Sequence, residues 1–195
     1  GAFLREYFLK GVNFPAHESV SLPDDLPLAE IEAFSIDDSA TTEIDDAFSL
    51  QPLPDGNTRV GIHIAAPALG IALGSALDSI AMQRLSTVYM PGNKITMLPE
   101  QAIMPFSLTE GQVRPALSMY LDIAPDLSIV NRRNKVEMVK IAANLRHDLL
   151  EPYFNENTLQ ADSGHPYWKR LSLLHKLAQS LEKARGKYEP NKLPQ

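Results

Sequence analysis

Cysteine is missing altogether from this chain of 195 residues, which excludes disulfide frameworks, thiolate zinc sites, iron–sulfur clusters and cysteine nucleophiles. Long apolar runs are missing too. No stretch approaches the roughly 18 residues that a membrane-crossing helix requires, and the opening Gly1-Ala2-Phe3-Leu4-Arg5-Glu6 carries neither an initiator Met nor a signal-peptide pattern. We therefore expect a soluble cytoplasmic protein with no membrane partner, and the start without Met points to a fragment or a processed chain. Positive charge is scarce: 18 Lys and Arg face 24 Asp and Glu, a formal net charge of −6, so no bulk basic field advertises a nucleic acid or an anionic surface. The deficit is local. Residues 1–100 hold 5 basic and 14 acidic side chains, whereas residues 101–195 hold 13 and 10. His17, His63, His147, His165 and His175 are scattered without zincin spacing, and no Gly-x-Ser-x-Gly elbow, Walker-type loop or dinucleotide glycine run occurs. Triad hydrolases and nucleotide switches drop out.

With 44% hydrophobic and 22% charged residues, the chain suits one globular domain or a large piece of one. Phe3, Leu4, Tyr7 and Phe8 share one face of a short opening helix that Gly11 can close, and the acidic, Pro-bearing Val20–Pro27 reads as a linker, so residues 1–32 form a helix and linker ahead of a domain over 33–195. Strands are expected over Ala33–Ile36, Ile44–Leu50, Arg59–Ala65, Ala116–Ile123 and Lys135–Ala142, with Leu127–Val130 a weaker candidate. Pro54-Asp55-Gly56-Asn57 predicts a hairpin, because Gly accepts the positive φ of a tight turn. Ser75, followed by Asp78 at the N3 position, predicts a capped helix start. Pro91-Gly92 predicts a turn. Tyr167, Leu171, Leu174, Ala178 and Leu181 form the apolar seam of a last helix that Gly186 ends, and residues 188–195 read as loop. These elements specify an α+β fold, a twisted mixed and mostly antiparallel sheet covered by helices. His63 opposes the apolar face of its strand and is expected to be exposed or to line a cleft.

Between residues 37 and 46 stand Asp37, Asp38, Glu43, Asp45 and Asp46, with no basic residue among them. Carboxylates this close repel unless a cation joins them. In a strand, Ile44, Asp46, Phe48 and Leu50 share the apolar face while Asp45 points the other way with Ala47 and Ser49. An ionised Asp beside Ile and Phe needs a partner, and a divalent ion is one remedy. Oxygen-only donors suit a hard cation, Mg2+ or Mn2+. The bland reading is an acidic surface loop, which is what most acid runs are.

The run Ser35-Ile36-Asp37-Asp38-Ser39-Ala40-Thr41-Thr42-Glu43-Ile44-Asp45-Asp46-Ala47 resembles the signature of the ribonuclease II and RNase R family, the RNB catalytic domain. Similar blocks follow in order: Arg59–Ala65, Gly74–Asp78, Val88–Gly92, Ile95–Pro99, Phe106–Leu108 and Arg114–Ser118. The resemblance implies the N-terminal portion of a domain that hydrolyses single-stranded RNA from 3′ to 5′ into 5′-mononucleotides with Mg2+. It places metal at Asp37, Asp45 and Asp46, counts Glu43 with them as a catalytic acid where relatives carry another Asp, and matches Tyr89 to an aromatic that stacks on bases near the RNA 3′ end. Arg114 and Lys94 are candidate RNA contacts, with Arg132, Arg133, Lys135 and Arg146 as further basic positions. Glu43, and Ala66 where many relatives carry Asp, depart from the family pattern and keep a rival in play: a catalytically inactive or truncated RNB-like module that binds RNA. A metal-stabilised acidic scaffold is the second rival.

Overall fold

The computed structural model describes residues 13–90, 93–155, 158 and 164–186; the expected opening helix, the Pro91-Gly92 turn and the 188–195 tail lie outside them. Five strands close into a barrel: β1 (Leu28–Asp37), β2 (Asp46–Pro52), β3 (Thr58–Ala65), β6 (Val113–Ile123) and β7 (Ile129–Arg146). The short strands β4 (Val88–Met90) and β5 (Asn93–Ile95) form a separate antiparallel hairpin. All barrel pairings are antiparallel except the closing one, where β1 runs parallel to β7. The 18-residue β7 is long enough to serve two neighbours, its first part pairing with β6 and its last part with β1. The weak Leu127–Val130 segment resolves into a turn, with Leu127 at φ 69°, and the start of that strand.

Local signals behave as the residues dictate. At the β2–β3 turn Gly56 adopts φ 84°, Leu53 N donates to Asn57 O at 2.8 Å, and the Asp55 carboxylate accepts from Asn57 N. Helix α1 (Ala76–Arg84) starts at Ser75, whose hydroxyl accepts from Asp78 N at 3.2 Å, while Asp78 accepts from Gly74 N. Ser75→Ala should lower the unfolding free energy by about 1 kcal/mol, the usual cost of a lost helix N-cap, as read by urea denaturation. Helices α2 (Glu100–Ile103) and α3 (His147–Leu150) are single turns.

Helix α4 (Trp168–Arg185) lies across the outside of the barrel. Its seam buries Leu171 and Leu177, with Leu174 half-buried, against Phe34, Phe48, Leu50, Val60 and Leu121, and Tyr167 packs on Phe34 with ring centroids 4.9 Å apart. Leu177 takes the place expected of Ala178, which is exposed with Leu181; all three line an apolar cavity of about 540 Å3 between the helix and the barrel.

Closure decides which strand face is inside, and it reverses two expectations. His63 is fully buried, its Nδ1 2.8 Å from Ser118 Oγ and its Nε2 2.8 Å from Ser49 Oγ. Ala47, Ser49 and Ser118 are buried with it, whereas Phe48 and Leu50 turn outward toward α4. Alternation holds along β2 from Asp46 and along β3, but the face opposite the large apolar residues is the barrel interior. A barrel of so few strands is narrow, so small residues fill it: Ala33, Ala47, Ala116, Ser35, Ser49 and Ser118 are all buried. Gly61 belongs to the same economy, since a Cβ there would collide with the His63 ring and Ser49 Oγ. Ile44 precedes β2 and is buried with Ala33, Ala47 and Leu108, so it does not share the Phe48 face.

Candidate functional site

Asp37 ends β1 and Asp46 begins β2, its antiparallel neighbour, so both sit at one mouth of the barrel. Asp46 pairs with Ile64 near the end of β3, and the preceding Asp45 is fixed through its carbonyl, which accepts from Ala65 N at 2.8 Å. The Asp38–Thr41 turn between them is pinned by Arg146, whose Nη1 donates to Asp38 O at 2.9 Å and Thr41 O at 3.2 Å. Asp46 therefore stands on the side of β2 that carries Phe48, but at the exposed rim rather than within the apolar packing.

Electrostatics show the acids gathered there. Asp45 and Asp46 both keep contact with solvent, yet the protein around their carboxyls removes part of their hydration. That desolvation raises Asp45 above the usual carboxylate range, with Glu43, Asp46 and Asp37 adding repulsion and Lys94 opposing it. Desolvation likewise raises Asp46, with Asp37 adding to it. A carboxylate held above its ordinary pKa by neighbouring negative charge favours a bound cation. Among the described residues no three His, Cys, Asp or Glu side chains converge tightly enough to enclose an ion by themselves.

Glu43 is engaged differently. Its Oε1 accepts from Lys94 Nζ at 2.8 Å, and Lys94 pairs across the β4–β5 hairpin with Tyr89. The ion pair thus ties the hairpin to the acidic loop and leaves Tyr89 presented to solvent, 77% exposed. Because the pair is partly solvated it contributes little stability; Lys94→Met should leave the melting temperature within a few degrees of the parent, as read by thermal denaturation followed by circular dichroism.

Arg114 lies on β6 two residues before Ala116, which pairs with Ala65, so it occupies the same end of the barrel as the acids. Its Nε is buried without a hydrogen-bond partner. By contrast Arg133 and Lys135 pair with Tyr120 and Ser118 and line a polar pocket with Arg59 and Glu137, away from the acids. The acids Asp37, Glu43, Asp45 and Asp46, with Lys94 and through it Tyr89, are brought into one neighbourhood; Arg132, Arg133 and Lys135 are not.

The RNB domain family matches residues 26–193. This chain belongs to the RNB domain family. Among its relatives, exoribonuclease 2 of Salmonella typhi is 31% identical over 155 residues, covering 78% of this RNB chain and 24% of that protein. DIS3-like exonuclease 2 of Xenopus tropicalis is 39% identical over 109 residues, covering 49% of the chain and 13% of that protein. The RNB chain therefore spans a quarter or less of the length of these relatives. Solved structures that share its fold include yeast Ssd1, a pseudonuclease, with TM-score 0.72 and 21% identity over 88% of this chain and 21% of that one, and Mycoplasma genitalium RNase R in complex with ribose-methylated single-stranded RNA, with TM-score 0.70 and 18% identity over 87% and 27%.

Sequence reasoning missed the residues that hold the acids in place. Ser35, Ser107 and Asn144 all bond at the acid-bearing segments. The available signals were faint: a Ser two positions before the first Asp, and an Asn at the end of an apolar strand.

Proposed function

We propose that this RNB domain is the catalytic portion of a 3′→5′ exoribonuclease that hydrolyses single-stranded RNA to 5′-mononucleotides with Mg2+, or Mn2+ in its place. The observation that carries this reading is the gathering of Asp37, Asp45 and Asp46 at one barrel mouth, two of them raised by desolvation and mutual repulsion. The donor set fits the ion: Mg2+ takes one or two carboxylates and completes its octahedron with waters and phosphate oxygens, so a cage of three protein ligands is not required. Asp37 and Asp46 would hold it, and when bound it supplies charge stabilisation at the scissile phosphate and a more acidic water.

The remaining steps fall to the chain's own side chains. Asp45, raised above an ordinary Asp, is the better proton acceptor, and it takes a proton from the water whose oxygen attacks phosphorus. The bond from phosphorus to the 3′ oxygen of the preceding nucleotide breaks, and that oxygen takes a proton from solvent water at the exposed rim to become the 3′ hydroxyl of the shortened RNA, while Asp45 returns its proton to solvent. Tyr89 stacks on a base near the 3′ end, a contact worth about 1–3 kcal/mol and indifferent to sequence. Arg114, half-buried at the same end of the barrel, offers its guanidinium charge to a phosphate oxygen. A negative site on an acidic half is compatible with RNA because phosphate contacts come from other segments.

A second reading, an RNA-binding module without hydrolysis, is favoured by the engagement of Glu43 with Lys94 at 2.8 Å. RNA labelled at its 3′ end separates the two. With Mg2+, labelled 5′-mononucleotide should accumulate. Retention on a filter with no released nucleotide would establish the second reading, and no retention at low ionic strength would remove both.

A further inference from the structure

Ser35 is fully buried in β1, two residues before Asp37 and on the same side of the strand. Its hydroxyl donates to Asp37 Oδ2. The same Oγ accepts from Asn144 Nδ2 at 2.8 Å, across the parallel β1–β7 pairing where Ser35 faces Asn144. The amide of Asn144 is itself fixed. Nδ2 donates again to Leu108 O at 2.9 Å, Oδ1 accepts from Glu110 N at 2.7 Å, and the backbone N of Asn144 donates to Glu110 Oε2 at 3.0 Å.

These bonds determine direction as well as position. Glu110 N–H can meet only the amide oxygen, so the Asn144 NH2 must face Ser35. That NH2 occupies a lone pair on Ser35 Oγ, and the single hydroxyl hydrogen is then left for Asp37. The bond it makes belongs to a buried network in which each member polarises the next.

The loop that holds Asn144 also holds the second acid-bearing segment. Ile44 N donates to Ser107 Oγ at 2.9 Å, and Leu108 N donates to Ile44 O at 2.9 Å. Ile44 stands between Glu43 and Asp45. One loop, Ser107 to Glu110, thus references both the Asp37 carboxylate and the Glu43–Asp45 backbone, and so sets the spacing between them.

We propose that Ser35 and Asn144 are positioning residues for Asp37: they occupy Oδ2 and turn Oδ1 toward the cation. This deepens the reading above and rests on it. Partners that orient a ligating carboxylate typically account for about 10–100-fold in metal affinity.

The test is Mn2+ binding to the protein without RNA, followed by electron paramagnetic resonance of the free ion, for the parent, Ser35→Ala, Asn144→Ala and the double variant. Ser35→Ala should weaken Mn2+ about 10–100-fold. Asn144→Ala should weaken it less, and the double variant should be no weaker than Ser35→Ala, because both act through one hydroxyl. A purely structural role lowers the melting temperature and leaves Mn2+ affinity where it was. Parent-like affinity in Ser35→Ala overturns the proposal, as does a double variant whose loss is the full product of the two single losses. If Ser35→Ala does not fold, parent-like affinity in Asn144→Ala overturns it. A parent that binds no Mn2+ removes the metal reading of the site, and this inference with it.

Discussion

Asp45→Asn should abolish release of 5′-mononucleotides, by at least about 10³-fold, while leaving affinity for single-stranded RNA nearly unchanged. The amide is close to isosteric and the backbone carbonyl that accepts from Ala65 N is retained, so the strand start keeps its place. What disappears is the proton acceptor that the proposed mechanism requires. The stability change gives a second, independent sign. Asp45 is raised by desolvation and by Glu43, Asp46 and Asp37, so its ionised form is a cost to the fold at neutral pH. Removing that charge should hold or raise the melting temperature. Loss of turnover with equal or higher stability would mark a functional carboxylate, as expected where sites carry unfavourable charge for the sake of chemistry. Unchanged turnover in a labelled-RNA time course would end the assignment of Asp45 as the base.

Acid should destabilise this protein through His63. Burial in the barrel pushes its pKa down from 6.5 to about 4, with Glu137 opposing. Because the folded value lies below the unfolded one, the unfolded chain takes up the proton first as pH falls. The contribution of His63 is fully present above the unfolded value, declines through the interval between the two, and is lost below the folded one. At 1.36 kcal/mol per unit the whole effect amounts to about 3 kcal/mol, and about 2 kcal/mol of it should appear between roughly pH 7.5 and pH 5. The raised carboxyls of Asp45 and Asp46 act in the opposite sense, since the folded state binds their protons more readily. The comparison is therefore with His63→Gln, which keeps those acids and removes the imidazole. Urea midpoints at the two pH values should converge for parent and variant as the solution is acidified. Parallel curves would show that His63 does not titrate between them.

His63 also shows where the sequence stops speaking. Alternation along β3 separates Val60, Ile62 and Ile64 from Arg59, Gly61 and His63, but a period of two names two faces without saying which is concave. That choice is made by the parallel pairing of β1 with β7, for which no local residue pattern exists. Once the barrel closes, the face with Gly, Ser and His is its interior, and the Phe48, Leu50 and Val60 face is covered from outside by α4. The acids were legible for the opposite reason: Asp37 to Asp46 are contiguous, and their charge crowding is visible without the fold. The Pro54–Asn57 turn and the Ser75 cap were legible because glycine conformation and capping are decided within four residues. Ser35 and Asn144 were not, since neither residue implies the other until β1 and β7 lie side by side.

That closing pair has a consequence for biosynthesis. Ser35 and Asn144 are separated by 109 positions, so a ribosome that has just delivered the first acids has yet to make the residue that orients them. Contacts this distant along the chain form late and slowly. The nascent polypeptide therefore carries Asp37 and Asp46 without the Asn144 contact until the last barrel strand has emerged.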